Sequence, residues 1–218
     1  MLEQLVKKSG CILDVGTGPA GSYFYQWVRD DSNVTGIDLA NLPTIDRPNF
    51  VFQKMDVLNL LKCDGRIKAL MNFWPNWRDK FDLVVADHIF EHVVRPLDLA
   101  QGLALVTKKD GYAHVAIPHP NNFTEKFYHL IHPEGGGHIV KITKQEMIDL
   151  ITGVGFELIE YADIPDSWTW LEKLYDWRHR GIKYFSDEDL QYIAKTFRKE
   201  LTPSKGYFYG GEYLFQKK

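Results

Sequence analysis

The sequence predicts an α/β protein built on a mostly parallel, doubly wound sheet, and three observations carry that reading. Short apolar runs alternate with stretches of helical periodicity up to about residue 162, the order that produces parallel strands joined by crossover helices. The first run, Cys11 to Val15, breaks into Gly16-Thr17-Gly18-Pro19-Ala20-Gly21 before helical spacing resumes. Glycines at such a turn let the backbone bend and approach a ligand, and the helix start beyond them offers unpaired N–H groups. Two later runs each end at a carboxylate, Asp38 and Asp56, at the strand ends where open α/β sheets bind ligands.

Each element follows from local pattern. Residues 2–8 read as a short helix leading into the Cys11–Val15 strand, and Tyr23, Phe24, Trp27 and Val28 recur at helical spacing after the glycines. Asn33 to Asp38 is a second strand and Phe50 to Met55 a third, separated by the loop signals Asn41-Leu42-Pro43 and Arg47-Pro48-Asn49. Leu58, Leu60, Leu61, Ile67, Leu70, Met71 and Phe73 suggest one or two short helices, broken by Trp74-Pro75-Asn76-Trp77, whose tryptophans read as packing residues. Phe81 to Ala86 is a buried strand. A helix opens at Arg95-Pro96, with proline in its first turn, and ends at Lys109-Asp110-Gly111. Tyr112 to Ile117 is the fifth strand. Pro118 to His138 is a long polar loop, of the length and irregularity that go with function or mobility. Thr143 to Thr152 is a helix with a capping box, Thr143 to Glu146. Phe156 to Ala162 is the sixth strand. Residues 163–205 form an aromatic-rich lid or interface insertion, with helices expected over Trp168–Arg180 and Ser186–Glu200, and Tyr207 to Phe215 pairs antiparallel with the sixth strand.

Composition sets outer bounds. With 218 residues the chain fits a single domain over 1–218, and 44% hydrophobic with 25% charged residues is ordinary for a globular protein. A net charge of -3 argues against a polyanion-binding surface, so nucleic acid is not an expected partner. Cys11 and Cys63 are too few for a disulfide framework, which points to a reducing cytoplasm. No run approaches the roughly 18 apolar residues of a membrane span, and the N-terminus lacks a signal peptide's apolar core.

The chemistry centres on the glycine turn. Gly16, Gly18 and Gly21 satisfy the dinucleotide pattern G-x-G-x-x-G. Asp14, two residues before the first glycine, directs negative charge where a pyrophosphate would lie and favours an ammonium group. S-adenosylmethionine carries such an ammonium beside a ribose and has no phosphate. Asp38 stands 22 residues after Gly16, close to the spacing of about 20 at which an acid accepts hydrogen bonds from ribose hydroxyls. Asp56 either accepts from an adenine amino group, with Met55 and Val57 beside the ring, or caps the helix that follows.

These residues resemble the class I S-adenosylmethionine-dependent methyltransferases, over about residues 10–162 and the last strand. The matching stretches are Ile12 to Gly18, the acids Asp38 and Asp56, Phe81 to Val93 with Glu91-His92-Val93, Lys109-Asp110-Gly111, Ile117 to Asn121, and His138 to Thr143 leading to Gly155-Phe156. The later motifs look like those of quinone-biosynthesis and bacterial glycan or small-molecule methyltransferases. The resemblance implies a Rossmann-like, seven-stranded mixed sheet with an antiparallel last strand and helices on both faces. It also implies S-adenosyl-L-methionine as cofactor. Asp14, Gly16, Thr17 and Gly18 would hold its methionine moiety, Asp38 with Leu39 its ribose, and Asp56 with Val57 its adenine. Asp87 and His88 would line the methionine and acceptor side. The asparagine–proline–proline–aromatic signature of adenine and glutamine N-methyltransferases is absent after the fourth strand, which favours oxygen of a small molecule or glycan as the acceptor.

A hydroxyl acceptor must lose its proton, and histidine is the residue type whose pKa suits that task. His119, at the end of the fifth strand, is the first candidate base, with His92 and His138 next; Trp168, Trp170 and Tyr175 would close the pocket. His88-Ile89-Phe90-Glu91-His92 spells the zinc-hydrolase pattern H-x-x-E-H. It follows a buried strand directly, and a zinc reading would leave the glycine turn unexplained. His129, His132 and His138 form a second histidine set, for which surface placement is the plain reading, so no metal is expected. A homodimer through 163–205 is the expected assembly.

Overall fold

The computed structural model describes residues 2–18, 21–39, 45–47, 49–66, 74–120, 138–165 and 208–218. Pro19, Ala20, His129, His132, and the insertion beyond residue 165 with its two expected helices and its aromatic residues Trp168, Trp170 and Tyr175 lie outside these residues. So does any test of the lid or of the dimer.

Strands β1 (Cys11–Val15), β2 (Asn33–Asp38), β3 (Phe50–Lys54), β4 (Phe81–Asp87), β5 (Thr107–Pro118), β6 (Phe156–Pro165) and β7 (Phe208–Lys217) form one sheet, interleaved with helices α1 (Leu2–Lys8), α2 (Pro96–Val106) and α3 (Lys144–Thr152). The strand order is β3-β2-β1-β4-β5-β7-β6. The first five strands pair in parallel, whereas β7 runs antiparallel to both β5 and β6. The chain winds outward from β1 to β3, then returns to β4 beside β1. That reversal opens a crevice at the C-terminal ends of β1 and β4, where open α/β sheets bind ligands.

Alternation along the strands divides the core. Leu13, Val15, Val84 and Ala86 pack with Leu99 and Leu103 of α2 and with Met147 and Ile151 of α3. Their neighbours Ile12, Leu83 and Val85 face the other way, onto Leu2 and Val6 of α1 and onto Phe24. Period-two strands buried on both faces give this continuous apolar reading.

Three elements depart from the sequence expectation. The helical pattern after Gly21 closes as a five-residue 3-10 turn, Tyr23–Trp27. The Arg47 guanidinium takes the carbonyls of Tyr25 and Val28 at 2.8 and 2.9 Å, supplying donors that a continuing helix would otherwise provide. The fifth strand begins at Thr107 rather than Tyr112. Thr107 is already paired with Phe81, the register then slips so that Leu83 meets Tyr112, and the intervening backbone turns through Asp110 at φ 60°. The Thr107 hydroxyl donates to the Leu103 carbonyl at 2.7 Å, occupying an end of α2 that Lys109-Asp110-Gly111 was expected to close. The run after Asp56 likewise forms a 3-10 turn, Val57–Cys63, with Trp77 buried near it.

The α3 capping box is present as expected: the Glu146 carboxylate accepts from the Thr143 N–H at 2.8 Å, and the Glu146 N–H donates to the Thr143 hydroxyl at 3.3 Å. Thr143→Ala is expected to cost about 1 kcal/mol of stability, read as a lowered urea midpoint with an unchanged slope.

Candidate functional site

The glycine turn is fastened to the end of β2. The N–H groups of Gly16 and Thr17 both donate to the Ile37 carbonyl, at 2.8 and 3.2 Å, and the Gly18 N–H donates to Asp38 Oδ2 at 2.8 Å. Gly16 and Gly18 adopt φ 81° and 65°, a region open to glycine and strained for other residues. A Cβ at Gly16 would also lie 2.9 Å from the Ile89 side chain. The turn therefore sets Asp38 beside Gly16.

A cleft of about 270 Å³ opens there, lined by Gly16, Asp38, Leu39, Asp56, Val57 and His92 among the sequence-selected residues, and by Leu58, Ile89, Val93 and Val94 besides. Its size is near the small end of ligand sites, about 300 Å³. The carboxylate of Asp56 accepts from the Leu58 N–H at 2.9 Å, capping the 3-10 turn, so one residue both caps and lines the cleft.

The other sequence-selected residues stand around this cleft rather than on its wall. Asp14 is buried under the turn, and its Oδ2 accepts from the Ser22 and Tyr25 hydroxyls at 2.7 and 2.5 Å. Burial pushes its pKa up to about 6, the hydrogen bonds oppose that shift, and the charge of Asp87 adds to it. Thr17 is buried, its hydroxyl on the Asp14 carbonyl. His88 follows β4 at φ 52°, and its Nδ1 lies 3.3 Å from Glu91 Oε1. Burial works to lower the His88 pKa, but the Glu91 hydrogen bond and the charges of Glu91, Asp87 and Glu212 hold it above the ordinary value.

The three candidate bases fall into two places. His119 lies beyond β5 with Nε2 at 3.3 Å from Asp163 Oδ1 of β6, and the Tyr161 hydroxyl donates to the same carboxylate oxygen. His92 and His138 stand together, ring centroids 4.8 Å apart and nearly perpendicular, beside the buried Glu91.

Sequence reading missed a third group. His114, fully buried in β5, places Nδ1 2.8 Å from Asp87 Oδ1 and Nε2 3.9 Å from Glu212 Oε2. Burial alone would lower its pKa, but the charge and hydrogen bond of Asp87 and the nearby charge of Glu212 raise it to about 9. The available signal was a histidine inside the apolar run Tyr112 to Ile117, since a polar side chain in a buried strand requires a partner.

The family model described as a methyltransferase domain matches residues 2–161. Among curated proteins none matches. Among solved structures, a SAM-dependent methyltransferase from Archaeoglobus fulgidus aligns over 99% of this chain and 89% of its own, with a TM-score of 0.62 at 16% identity. Phosphoethanolamine N-methyltransferase 2 of Haemonchus contortus, solved with S-adenosyl-L-methionine, aligns over 100% of this chain and 52% of its own, with a TM-score of 0.62 at 13% identity. Likeness at these identities carries the fold alone. Together with the family match over most of the length and the reversed last strand of the sheet, it establishes that the chain belongs to the methyltransferase-domain family, with the class I S-adenosylmethionine-dependent methyltransferase fold.

Proposed function

We propose that the chain transfers a methyl group from S-adenosylmethionine to an oxygen atom of a small-molecule or glycan acceptor. One observation carries the cofactor reading: among the described residues lining the cleft beside the glycine turn, two are carboxylates, Asp38 and Asp56, and none is a lysine or arginine. A pyrophosphate would meet two carboxylates on that wall. A nucleoside bearing positive charge and no phosphate suits the same wall, with ribose hydroxyls donating to Asp38 and Val57 and Leu58 against the base.

When bound, S-adenosylmethionine supplies an electrophilic methyl group. The chain's own residues then align the acceptor oxygen with that carbon and exclude water, from which much of the rate enhancement of such a transfer comes. His119 accepts the hydroxyl proton as the acceptor oxygen forms its new bond to carbon. Asp163 positions the His119 ring. Two free cysteines, Cys11 and Cys63, support a reducing, cytoplasmic setting for the enzyme. No helix among the described residues is long and apolar enough to cross a membrane.

Calorimetry tests the cofactor reading. S-adenosylmethionine or its demethylated product is expected to bind, and Asp38→Ala is expected to raise Kd about ten- to a hundredfold, the effect of losing hydrogen bonds to a charged group. Tighter binding of NAD than of either compound overturns the reading.

A further inference from the structure

We propose that Glu91, His92 and His138 form a site for one divalent transition-metal ion beside the cofactor cleft, which His92 lines. The three residues offer one carboxylate oxygen and two imidazole nitrogens within 4.8 Å of one another. Two elements bring them together. The 3-10 turn Phe90–His92 presents Glu91 and His92 in succession. The backbone N–H groups of Ile139 and Val140 then donate to the Glu91 carbonyl at 2.8 and 3.1 Å, which ties the segment carrying His138 over the same side chain.

The buried carboxylate gives the independent indication of a ligand. Glu91 is only 3% exposed, and among the described residues its Oε2 is buried with no hydrogen-bond partner. A buried carboxylate oxygen without a donor is costly, and a cation supplies what no N–H group does here. The other oxygen, Oε1, is approached by His88 Nδ1 at 3.3 Å, an outer contact of the kind that orients a ligating carboxylate. Ligand bonds of about 2.0–2.2 Å put donor atoms on one ion roughly 3.0–3.5 Å apart. Rotation of the exposed His92 side chain would narrow the 4.8 Å separation seen here.

Donor chemistry limits the ion. Two imidazoles with one carboxylate suit zinc, cobalt, nickel or iron(II), whereas magnesium and calcium favour sites made of oxygen atoms. The site departs from the metal-free expectation of the sequence because the third ligand, His138, lies 46 residues after His92, a distance at which H-x-x-E-H spacing says nothing. Three protein ligands leave coordination positions open, and His92 lines the cleft, so the ion faces the volume assigned to cofactor and acceptor. An acceptor oxygen bound to it would lose its proton more readily. That use rests on the methyl-transfer reading; the binding site does not.

Cobalt(II) and zinc titrations of the full chain after chelator treatment test the site. One ion per chain is expected to bind with micromolar or tighter affinity, with visible cobalt bands of low coordination number. Glu91→Gln, His92→Ala and His138→Ala are each expected to weaken binding by more than the roughly ten- to hundredfold that loss of an outer-shell partner costs, whereas His129→Ala and His132→Ala leave it unchanged. Circular dichroism of each variant separates lost ligation from lost folding, and the metal-induced rise in melting temperature of the unaltered chain provides a readout free of any variant. Absence of cobalt and zinc binding by the unaltered chain overturns the proposal, as does binding that survives all three ligand substitutions or requires His129 or His132. S-adenosylmethionine binding is measured separately on the same samples, so failure of the cofactor reading with metal binding intact is a distinct result.

Discussion

His114→Leu is expected to destabilise the fold by about 3–5 kcal/mol, the cost of removing one partner from a buried charge pair. His114 stands in the middle of β5, opposite Val85 of β4 and Leu214 of β7, and is fully buried. Its loss leaves the Asp87 carboxylate without its 2.8 Å partner in a site whose Oδ2 already has no hydrogen-bond partner among the described residues. Leucine restores volume and no donor, so packing does not offset the electrostatic loss. The pH dependence separates this from a simple packing defect. The folded pKa of about 9 lies above the unfolded histidine value of about 6.5. A group whose pKa rises on folding stabilises fully below its unfolded value, and that contribution disappears as pH climbs through the folded value. Chemical denaturation of the unaltered chain should therefore show His114 contributing a fall in stability on the order of 3 kcal/mol between about pH 6.5 and pH 9.5, and the leucine variant should show a fall smaller by that amount. A flat profile in the unaltered chain would mean that His114 is neutral and the pairing with Asp87 uncharged.

The parts of this molecule legible in its sequence are those fixed by neighbours along the chain. The bounds of β1 and β2 follow because an apolar run stops at a glycine in one case and at a strand-end carboxylate in the other. The cap of α3 involves residues three apart. Asp38 and Asp56 were readable as cleft residues because parallel strands deliver their C-terminal ends to one edge of the sheet. What escaped the sequence depends on distant partners. Arg47 cuts short the helix expected after Gly21, and Phe81 recruits Thr107 into β5 ahead of the expected start. The pairing of His114 with Glu212 exists because the last strand inserts beside β5. The histidines show the same limit. In the sequence, His119 leads His92 and His138 as candidate base only by its place at a strand end; in the fold two of them converge on Glu91 and one reaches Asp163.

That separation sharpens the prediction for His119. His119→Ala is expected to lower kcat about 10²- to 10⁴-fold, the range for loss of a general base, while the Kd for S-adenosylmethionine is retained, because His119 does not line the cofactor cleft. Asp163 engages Nε2 of the ring, which fixes the N–H there and leaves Nδ1 to take the acceptor proton. Asp163→Ala keeps that nitrogen and loses only the restraint. The pair is partly exposed, so its contribution is discounted to about 1 kcal/mol, roughly fivefold in kcat. The expected order of effects, large for His119 and small for Asp163, distinguishes a base with a positioning partner from two residues that merely join β5 to β6. Joined strands would lose stability in both variants with turnover per folded molecule unchanged. Unaltered turnover in His119→Ala removes it as the base. The Glu91–His92–His138 cluster then becomes the place to look, since a metal ion held there would lower the pKa of an acceptor hydroxyl enough for solvent to take its proton.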